Sequence, residues 1–427
     1  MKLPAVTPMT PRPAPVGPRT SASEGPDGRG SPLSTWGVVA ASVAVAFGAG
    51  AGSPLFVLYQ RQWGFSDWEL TAAFTVYAVT LLATLLVAGS ASDHIGRRPV
   101  LVVAMLLLLV TSGLFLAADG IGWIIAARAV QGMATGAATS TFTAAIIELA
   151  SPRRLPLMTV LTSAAPVGGL ALGALFAGLA VEFTDHPTEV VFLGLTLVLL
   201  YGIVSVLTVP ETADRRPGAL ASLRPQINVV RSARGWFWSL APLVAAGWMF
   251  SGLFLGLAPS FDSQVFGIHS GAVNGVIVAL QPMAAAVAGI AFGRMPATVA
   301  TRAGAMLLLA GAVLAGAGVA ASSLPLVIAG ALTGGSGQGA AFGSSLRILG
   351  PTAGNAHRGG LFAAVYLIAY TAYGVPVLLA GLATDFVPLP TTVVAYGAAV
   401  ALLAATAALS LARRAHRAGS PHLVQGG

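Results

Sequence analysis

The segment GSASDHIGRR, Gly89–Arg98, separates two long apolar runs. Only 8% of the chain is Asp, Glu, Lys or Arg, yet Asp93, Arg97 and Arg98 all lie within this segment. A run of about 20 apolar residues crosses a bilayer as a helix, and the charges in the loops between such helices set their orientation. The segment therefore predicts a basic loop between two membrane-spanning helices.

The composition of the whole chain supports the same structure. The chain has 427 residues, of which 56% are hydrophobic, and its mean hydropathy is +0.83. Soluble globular proteins carry roughly 25% charged residues, so this chain lies far outside their range. The apolar runs do not alternate in polarity as the strands of a membrane barrel would. We therefore predict an all-α polytopic membrane protein.

Twelve apolar runs follow one another from Trp36 onward, which predicts two six-helix bundles. The predicted domains are a disordered cytoplasmic tail (1–33), a first bundle (34–210), a cytoplasmic linker (211–235), a second bundle (236–412) and a cytoplasmic tail (413–427). The predicted spans are 36–58, 70–91, 99–118, 122–147, 157–181, 190–209, 237–260, 272–293, 303–321, 325–347, 360–384 and 390–411.

The arginines predict the orientation of these spans. With the N-terminus in the cytoplasm, sixteen arginines fall in the inner loops and the C-terminal tail, whereas the outer loops hold only Arg61. This asymmetry follows the positive-inside rule and accounts for the net charge of +8 without a nucleic-acid partner. We expect a multi-pass protein of the cell membrane, plasma or inner, with both termini in the cytoplasm.

The two sets of six spans are related in sequence. AGLAVEF closes span five at Ala177–Phe183, and AGLATDF closes span eleven at Ala380–Phe386, 203 residues later. Gly89 and Arg98 correspond to Gly293 and Arg302 at almost the same sequence offset. Two sequence similarities at nearly the same offset, together with equal numbers of spans in the two sets, indicate a parallel repeat.

Twelve spans, this repeat and the loop motif resemble the major facilitator superfamily. The signature of that family between spans two and three is matched in register, although His94 stands where the family usually has Arg or Lys. The resemblance implies a conformational latch between the halves. The alternative is a basic loop that only sets topology, and the second half has Ala297 in place of an acidic residue. The residues of the expected latch are Gly89, Asp93, Gly96, Arg97 and Arg98.

Span four carries a second match to the family, formed by Arg128, Gln131 and Gly132. In antiporters of the family this arginine is tied to proton coupling, and the resemblance implies that role here. An arginine inside a span costs roughly 2.5–3.5 kcal/mol on insertion scales, so it needs a partner or a wet cavity. The alternative is that Arg128 extends its side chain to the membrane interface.

Span five holds Pro166, Gly168, Gly169 and Gly173, which resemble the antiporter motif of the family. The match is imperfect, because Ala165 replaces the usual glycine before the proline. Simple packing of small residues against a neighbouring helix is the alternative.

Polar and aromatic residues in spans eight, ten and eleven could line a central substrate cavity, because cavities for amphipathic ligands are mostly apolar with few polar groups. For each residue taken alone, ordinary packing between helices is the alternative. The candidate cavity residues are Gln281, Gln338, Phe342, Tyr366 and Tyr370.

The leading functional hypothesis is a secondary transporter that exports small amphipathic or drug-like compounds in exchange for protons. We expect a monomer in the lipid bilayer that is not an enzyme, with a small-molecule substrate, protons and no cofactor. The chain has no cysteine, and its single lysine, Lys2, excludes a nucleotide-binding loop. No Asp or Glu lies at the centre of a predicted span. The alternatives are uptake or facilitated transport of a small metabolite and, in another class, a non-transporting membrane receptor or scaffold.

Overall fold

The structure, a computed structural model, describes residues 32–213, 217–218, 222–223 and 227–419. Parts of the predicted tails and of the predicted linker lie outside these ranges. Within the described residues the chain is helical and contains no strand.

The first six long helices lead from Pro32 to Thr208, with a short helix at Ser92–Ile95 between the second and the third. Each one covers most of a predicted span: the first, fourth and fifth contain theirs entirely, whereas the second, third and sixth end one to three residues before the predicted ends. The six helices are α1 (Pro32–Trp63), α2 (Asp67–Ala88), α3 (Arg97–Leu116), α4 (Ile121–Leu149), α5 (Leu155–Phe183) and α6 (Pro187–Thr208).

The second six long helices lead from Arg231 to Gly419. The first of them, α7, contains a five-residue π-helical turn at Leu253–Leu257. The six helices are α7 (Arg231–Phe266), α8 (Gly271–Gly293), α9 (Ala297–Ala320), α10 (Leu324–Thr352), α11 (Gly354–Ala383) and α12 (Leu389–Gly419).

Ten helices in the described part of the chain are long and apolar enough to cross a membrane. The two long helices outside this set are α4 and α10, which are rich in Gly, Ser and Thr and bury polar side chains such as Gln131 and Gln338. Both pack mainly on other helices, so a less apolar surface suffices for them. The all-α fold predicted from the sequence is confirmed.

Side chains at the helix ends explain where several helices begin. The Ser66 backbone N–H donates to Glu69 Oε2 over 2.8 Å, which satisfies a free donor at the start of α2. The Ser270 hydroxyl accepts from the Val273 N–H over 3.3 Å and caps α8. Polar residues between apolar runs thus determine these boundaries.

The packing of α1–α6 is repeated in α7–α12. In the first set, α1 packs on α5 and α6, α2 on α4, and α3 on α4 and α6. In the second set, α7 packs on α11 and α12, α8 on α10, and α9 on α10 and α12. Every one of these pairs recurs six helices later, as a parallel repeat requires.

Contacts between the two sets of helices are found at the end that the sequence predicts to be outer. Thr75 Oγ1 on α2 donates to the Gly374 carbonyl on α11 over 3.1 Å. Gly178 on α5 packs against Gly275 on α8 so closely that a Cβ at Gly178 would lie 2.6 Å from the Gly275 Cα. Ser53 Oγ on α1 donates to the Leu255 carbonyl in the π turn of α7 over 2.5 Å. The halves are therefore joined at the outer end.

Candidate functional site

Five aromatic rings from α7, α10 and α11 meet in the second half, and we call them the aromatic cluster. The centroid of Trp248 lies 4.7 Å from that of Tyr370 and 5.5 Å from that of Phe342. Tilted and edge-to-face pairs at such distances are favourable beyond the area that they bury. The cluster comprises Trp248, Phe342, Tyr366, Tyr370 and Tyr373.

The aromatic cluster extends across to the first half through α2. The ring of Phe74 lies 4.7 Å from that of Tyr373. One turn further along α2, the ring of Tyr77 lies 4.2 Å from Cζ of Arg128 on α4. The aromatic side chains and the arginine therefore form one continuous surface across the two halves.

Arg128 is buried, with 2% of its surface exposed. One guanidinium nitrogen, Nη1, donates to Gln131 Oε1 over 2.6 Å, and Cζ also lies 5.4 Å from the Phe56 ring. Nε has no hydrogen-bond partner, and none of the ion pairs among the described residues includes Arg128. A side chain held inside the protein in this way does not extend along the lipid-facing surface. The cation is instead held by two rings and an amide.

Gly132 brings α4 close enough to α2 for this arrangement. A Cβ at Gly132 would lie 2.0 Å from Thr80 Oγ1 and 2.4 Å from the Tyr77 carbonyl oxygen. Only a glycine permits such an approach between backbones. The three residues of the span-four match thus act at one position between α4 and α2. Gly132 allows α4 to lie close to Tyr77 of α2, and Gln131 forms a hydrogen bond with Arg128.

The side chains of Gln281 and Gln338 are adjacent and form a hydrogen bond with each other. Gln281 Nε2 donates to Gln338 Oε1 over 2.5 Å, and Ser251 Oγ on α7 lies 3.1 Å from the Oε1 atom of each glutamine. This buried network joins α7, α8 and α10. It fits the packing alternative for the two glutamines better than a cavity lining, whereas Phe342, Tyr366 and Tyr370 belong to the aromatic cluster.

The predicted latch is a network at the inner end of the first half. Asp93 Oδ1 lies 2.5 Å from Arg97 Nη1, and Arg97 Nη2 lies 3.1 Å from Glu148 Oε1 at the end of α4. Glu211, which follows α6, accepts from the backbone N–H groups of Arg97 over 2.7 Å and of Arg98 over 3.1 Å. The partners described for Asp93 and Arg97 all belong to the first six helices and the segment after them.

The glycines of this motif have different surroundings. Gly96 has a φ of +112°, a conformation that favours glycine, and a Cβ there would lie 2.5 Å from Glu211 Oε2. Gly89 lies against the end of its own helix, and its carbonyl accepts from Ser140 of α4 over 3.1 Å. Gly96 thus makes the turn that lets Glu211 cap α3.

The glycines of span five pack on α1. A Cβ at Gly173 would lie 2.0 Å from the Phe47 carbonyl oxygen, and one at Gly169 would lie 2.6 Å from that of Val43. A Cβ at Gly168 would meet no atom within 4 Å. The helix is continuous through Pro166. The structure therefore places Gly169 and Gly173 in close helix contact and Gly168 outside it.

The sequence did not single out several residues that the structure places in contacts between helices or in buried positions. Trp248 is the one tryptophan that does not lie near the end of a predicted span, and this central position could have marked it as a candidate site residue. Glu211 was assigned to the linker, and nothing in its spacing pointed to α3. Asp262 fell beyond the predicted end of span seven at residue 260, but α7 continues to Phe266 and buries Asp262 completely.

The described residues hold no group of three or more His, Cys, Asp or Glu side chains that could bind a metal ion. The polar networks above consist of hydrogen bonds and ion pairs between protein groups.

Two relatives match parts of the chain. The chain is 28% identical over 154 residues to the multidrug resistance protein MdtL of Klebsiella pneumoniae (strain 342), covering 35% of this chain and 38% of that protein. It is 31% identical over 170 residues to the puromycin resistance protein pur8 of Streptomyces alboniger, covering 39% of this chain and 33% of that protein. The chain thus spans well under half the length of either relative.

A solved structure and a family model cover more of the chain. The crystal structure of the human organic anion transporter MFSD10 (TETRAN) superposes with a TM-score of 0.62 at 17% identity, covering 88% of this chain and 98% of that one. At this identity the likeness concerns the fold. The model of the Major Facilitator Superfamily matches residues 38–303, which is more than half of the chain. The described part of this chain contains twelve long helices in two matching sets of six, and the chain belongs to the Major Facilitator Superfamily.

Proposed function

We propose that this transporter exports small amphipathic or drug-like compounds in exchange for protons by alternating access. The observation that carries the proposal is the aromatic cluster beside Arg128. It supplies large apolar ring faces and one buried guanidinium, with few other polar groups. Such a surface suits flat, partly apolar compounds, whereas a sugar needs many hydrogen-bonding side chains.

The direction of transport is proposed from the two relatives. Their names describe resistance to several drugs and to puromycin, and resistance is the outcome that efflux produces. Because both matches cover limited parts of the chain, the substrate of this protein is a separate question. Puromycin is the first compound to test.

Proton coupling is proposed from the surroundings of Arg128. A buried cation with no carboxylate partner among the described residues is sensitive to any change of charge nearby. A proton or a charged substrate entering the site would alter its energy strongly. We propose that Arg128, with Gln131 and Gly132, transmits such changes between substrate and proton.

Alternating access is proposed from the contacts between the two halves. Thr75–Gly374, Ser53–Leu255 and Gly178–Gly275 join them at the outer end. The latch residues Asp93 and Arg97 bind partners of their own half at the inner end. We infer that the conformation described faces inward, with the latch released from the second half. The bundles at 34–210 and 236–412 would rock about the aromatic cluster.

The remaining features of the proposal concern the setting of the protein. We propose that it acts as a monomer in the cell membrane, with both termini in the cytoplasm, as the arginine asymmetry predicts. Cysteines placed singly in predicted inner and outer loops and tested with a membrane-impermeant thiol reagent would check this orientation. The chain has no cysteine of its own to interfere.

The efflux proposal is tested by the drug susceptibility of cells that lack or over-express the protein. Over-expression should raise the tolerated concentration of puromycin or of several unrelated lipophilic compounds. Vesicles that contain the purified protein should then accumulate the same compounds only while a pH gradient is present. No change of tolerance, together with a growth defect on one nutrient, would point to uptake instead.

A further inference from the structure

Asp262 is a carboxylate inside the protein near the outer end of α7. Its exposed fraction is 0%, and none of the ion pairs among the described residues includes it. An isolated charged carboxylate in such surroundings is strongly unfavourable unless a partner compensates it. Its carboxyl group accepts a hydrogen bond from the side chain of Asn274 on α8, whose Nδ2 donates to Asp262 Oδ2 over 3.3 Å.

The other two oxygens of this pair lack a donor. Asp262 Oδ1 and Asn274 Oδ1 are both buried, and neither has a hydrogen-bond partner among the described residues. Buried polar atoms are nearly always paired, so two unpaired acceptors on adjacent side chains call for an explanation. One proton on Asp262 Oδ1 would supply the missing donor, because it could be shared with Asn274 Oδ1.

We propose that Asp262 and Asn274 form a proton-binding site. In the loaded state, Asp262 Oδ1–H donates to Asn274 Oδ1 while Asn274 Nδ2–H donates to Asp262 Oδ2, as a carboxylic acid pairs with an amide. In the unloaded state, the proton has passed to water and the carboxylate is charged. The site rests on the proposed proton coupling and supplies the carboxylate that this coupling needs.

The position of the pair gives it a route to the outer side. Asn274 lines a small cavity between the halves, together with Pro54 and Val57 of α1 and with Val181 of α5. The titratable groups described around this region are Arg61 at the end of α1, Asp67 at the start of α2, His269 in the loop before α8, and Glu182 of α5, which accepts from Ser270. Separation of the halves at this end would open the cavity, so the proton would exchange with the outer solution.

Infrared difference spectroscopy of the full-length protein in lipid tests the site without a substrate. The wild type should show the carbonyl band of a protonated carboxyl group at neutral pH, and D262N should remove it. N274A should shift the band by removing both hydrogen bonds between Asn274 and the carboxyl group, and this second variant keeps the test decisive if D262N folds poorly. D385N, at an exposed aspartate, is the control and should leave the band unchanged. A band that persists in D262N, or its absence from the wild type, would overturn the proposal.

Transport in vesicles tests whether this proton is coupled. With puromycin as the probe, D262N should lose accumulation driven by a pH gradient by about tenfold or more but keep exchange at equal pH on both sides. Gradient-driven accumulation that survives in D262N would overturn the coupling role. If wild-type protein does not carry puromycin or ignores the gradient, the proposed function fails, and the infrared band still decides whether Asp262 holds a proton.

Discussion

At the scale of single residues, Arg128 is the clearest case of a group placed at the expense of stability. Its guanidinium is held by Gln131 and two rings, and its Nε has no partner. R128M should therefore abolish gradient-driven transport while keeping or raising the thermal stability, because a central arginine costs roughly 2.5–3.5 kcal/mol in a span. Thermal unfolding in detergent and transport in vesicles measure the two effects. R128M protein that melts well below the wild type would indicate a structural role.

Asp93 is the residue that separates a latch from a basic loop. Its side chain is 56% exposed, so its ion pair with Arg97 contributes only about 0.2–1 kcal/mol to stability. D93N should reach the membrane at normal abundance and melt as the wild type does, yet transport several times more slowly. D119N, at an exposed aspartate between α3 and α4, is the matched control. Full transport by D93N would reduce the motif to a loop that sets topology.

Sequence patterns identified many of these residues but not the residues that they contact. The spacing of Arg128, Gln131 and Gly132 was visible in one helix, whereas Tyr77 became part of the site only through the packing of α2 on α4. Likewise, Asp93 and Arg97 were found by motif, but Glu211 lies more than a hundred positions away in the chain. Contacts between distant segments leave no periodic signal in a single sequence.

At the scale of helices, Gly132 and Gly168 differ in how much space their surroundings leave for a larger side chain. G132A places a Cβ 2.0 Å from Thr80 Oγ1, so α4 must move away from α2. Overpacking of this kind destabilises by about 1–3 kcal/mol, and it should also reduce transport by displacing Arg128 from Tyr77. G168A is the matched control, since its Cβ meets nothing within 4 Å. Thermal unfolding of the two variants makes the comparison, and equal melting would contradict the packing described here.

The extent of α7 shows why hydropathy placed most spans well and this one less well. The apolar run ends near residue 260 because Ser260, Asp262, Ser263 and Gln264 follow. The helix nevertheless continues to Phe266, because several of these side chains find partners on other helices, such as Asn274 and Asp67. Hydropathy treats each polar residue as if it faced water or lipid. It therefore misses polar residues that the helix places against other helices.

At the scale of the whole molecule, alternating access requires the outer contacts to break. Gln264 of α7 donates to Asp67 of α2 over 3.1 Å across the halves, and Gln60 of α1 donates to the same aspartate over 2.8 Å within one half. A short thiol cross-linker on D67C with Q264C should stop transport, and reversal of the link should restore it. The same cross-linker on Q60C with D67C should leave transport nearly unchanged. Undiminished transport in the linked first pair would contradict rocking at this end.

The two halves share their packing but not their buried ionisable groups. At the repeat offset of 203 residues, Arg128 corresponds to Ala331 and Asp262 corresponds to Tyr59. The repeat thus provides a symmetric frame, on which the first half carries a buried cation and the second half a buried carboxylate. The similar segments in the sequence indicated the repeat, whereas the presence of a buried arginine in one half and a buried carboxyl group in the other became visible only through the burial of Asp262.

The π turn at Leu253–Leu257 changes the directions in which the side chains beyond it project from α7. One extra residue in a helical turn rotates everything beyond it by about 100° relative to a regular α-helix. Trp248, before the turn, packs on the other rings of the aromatic cluster, and Asp262, after it, accepts a hydrogen bond from Asn274. Removal of one residue from the turn would restore a regular helix, and it could then aim only one of these side chains correctly. The register of a single helical turn thus fixes the directions of Trp248 and Asp262 relative to each other.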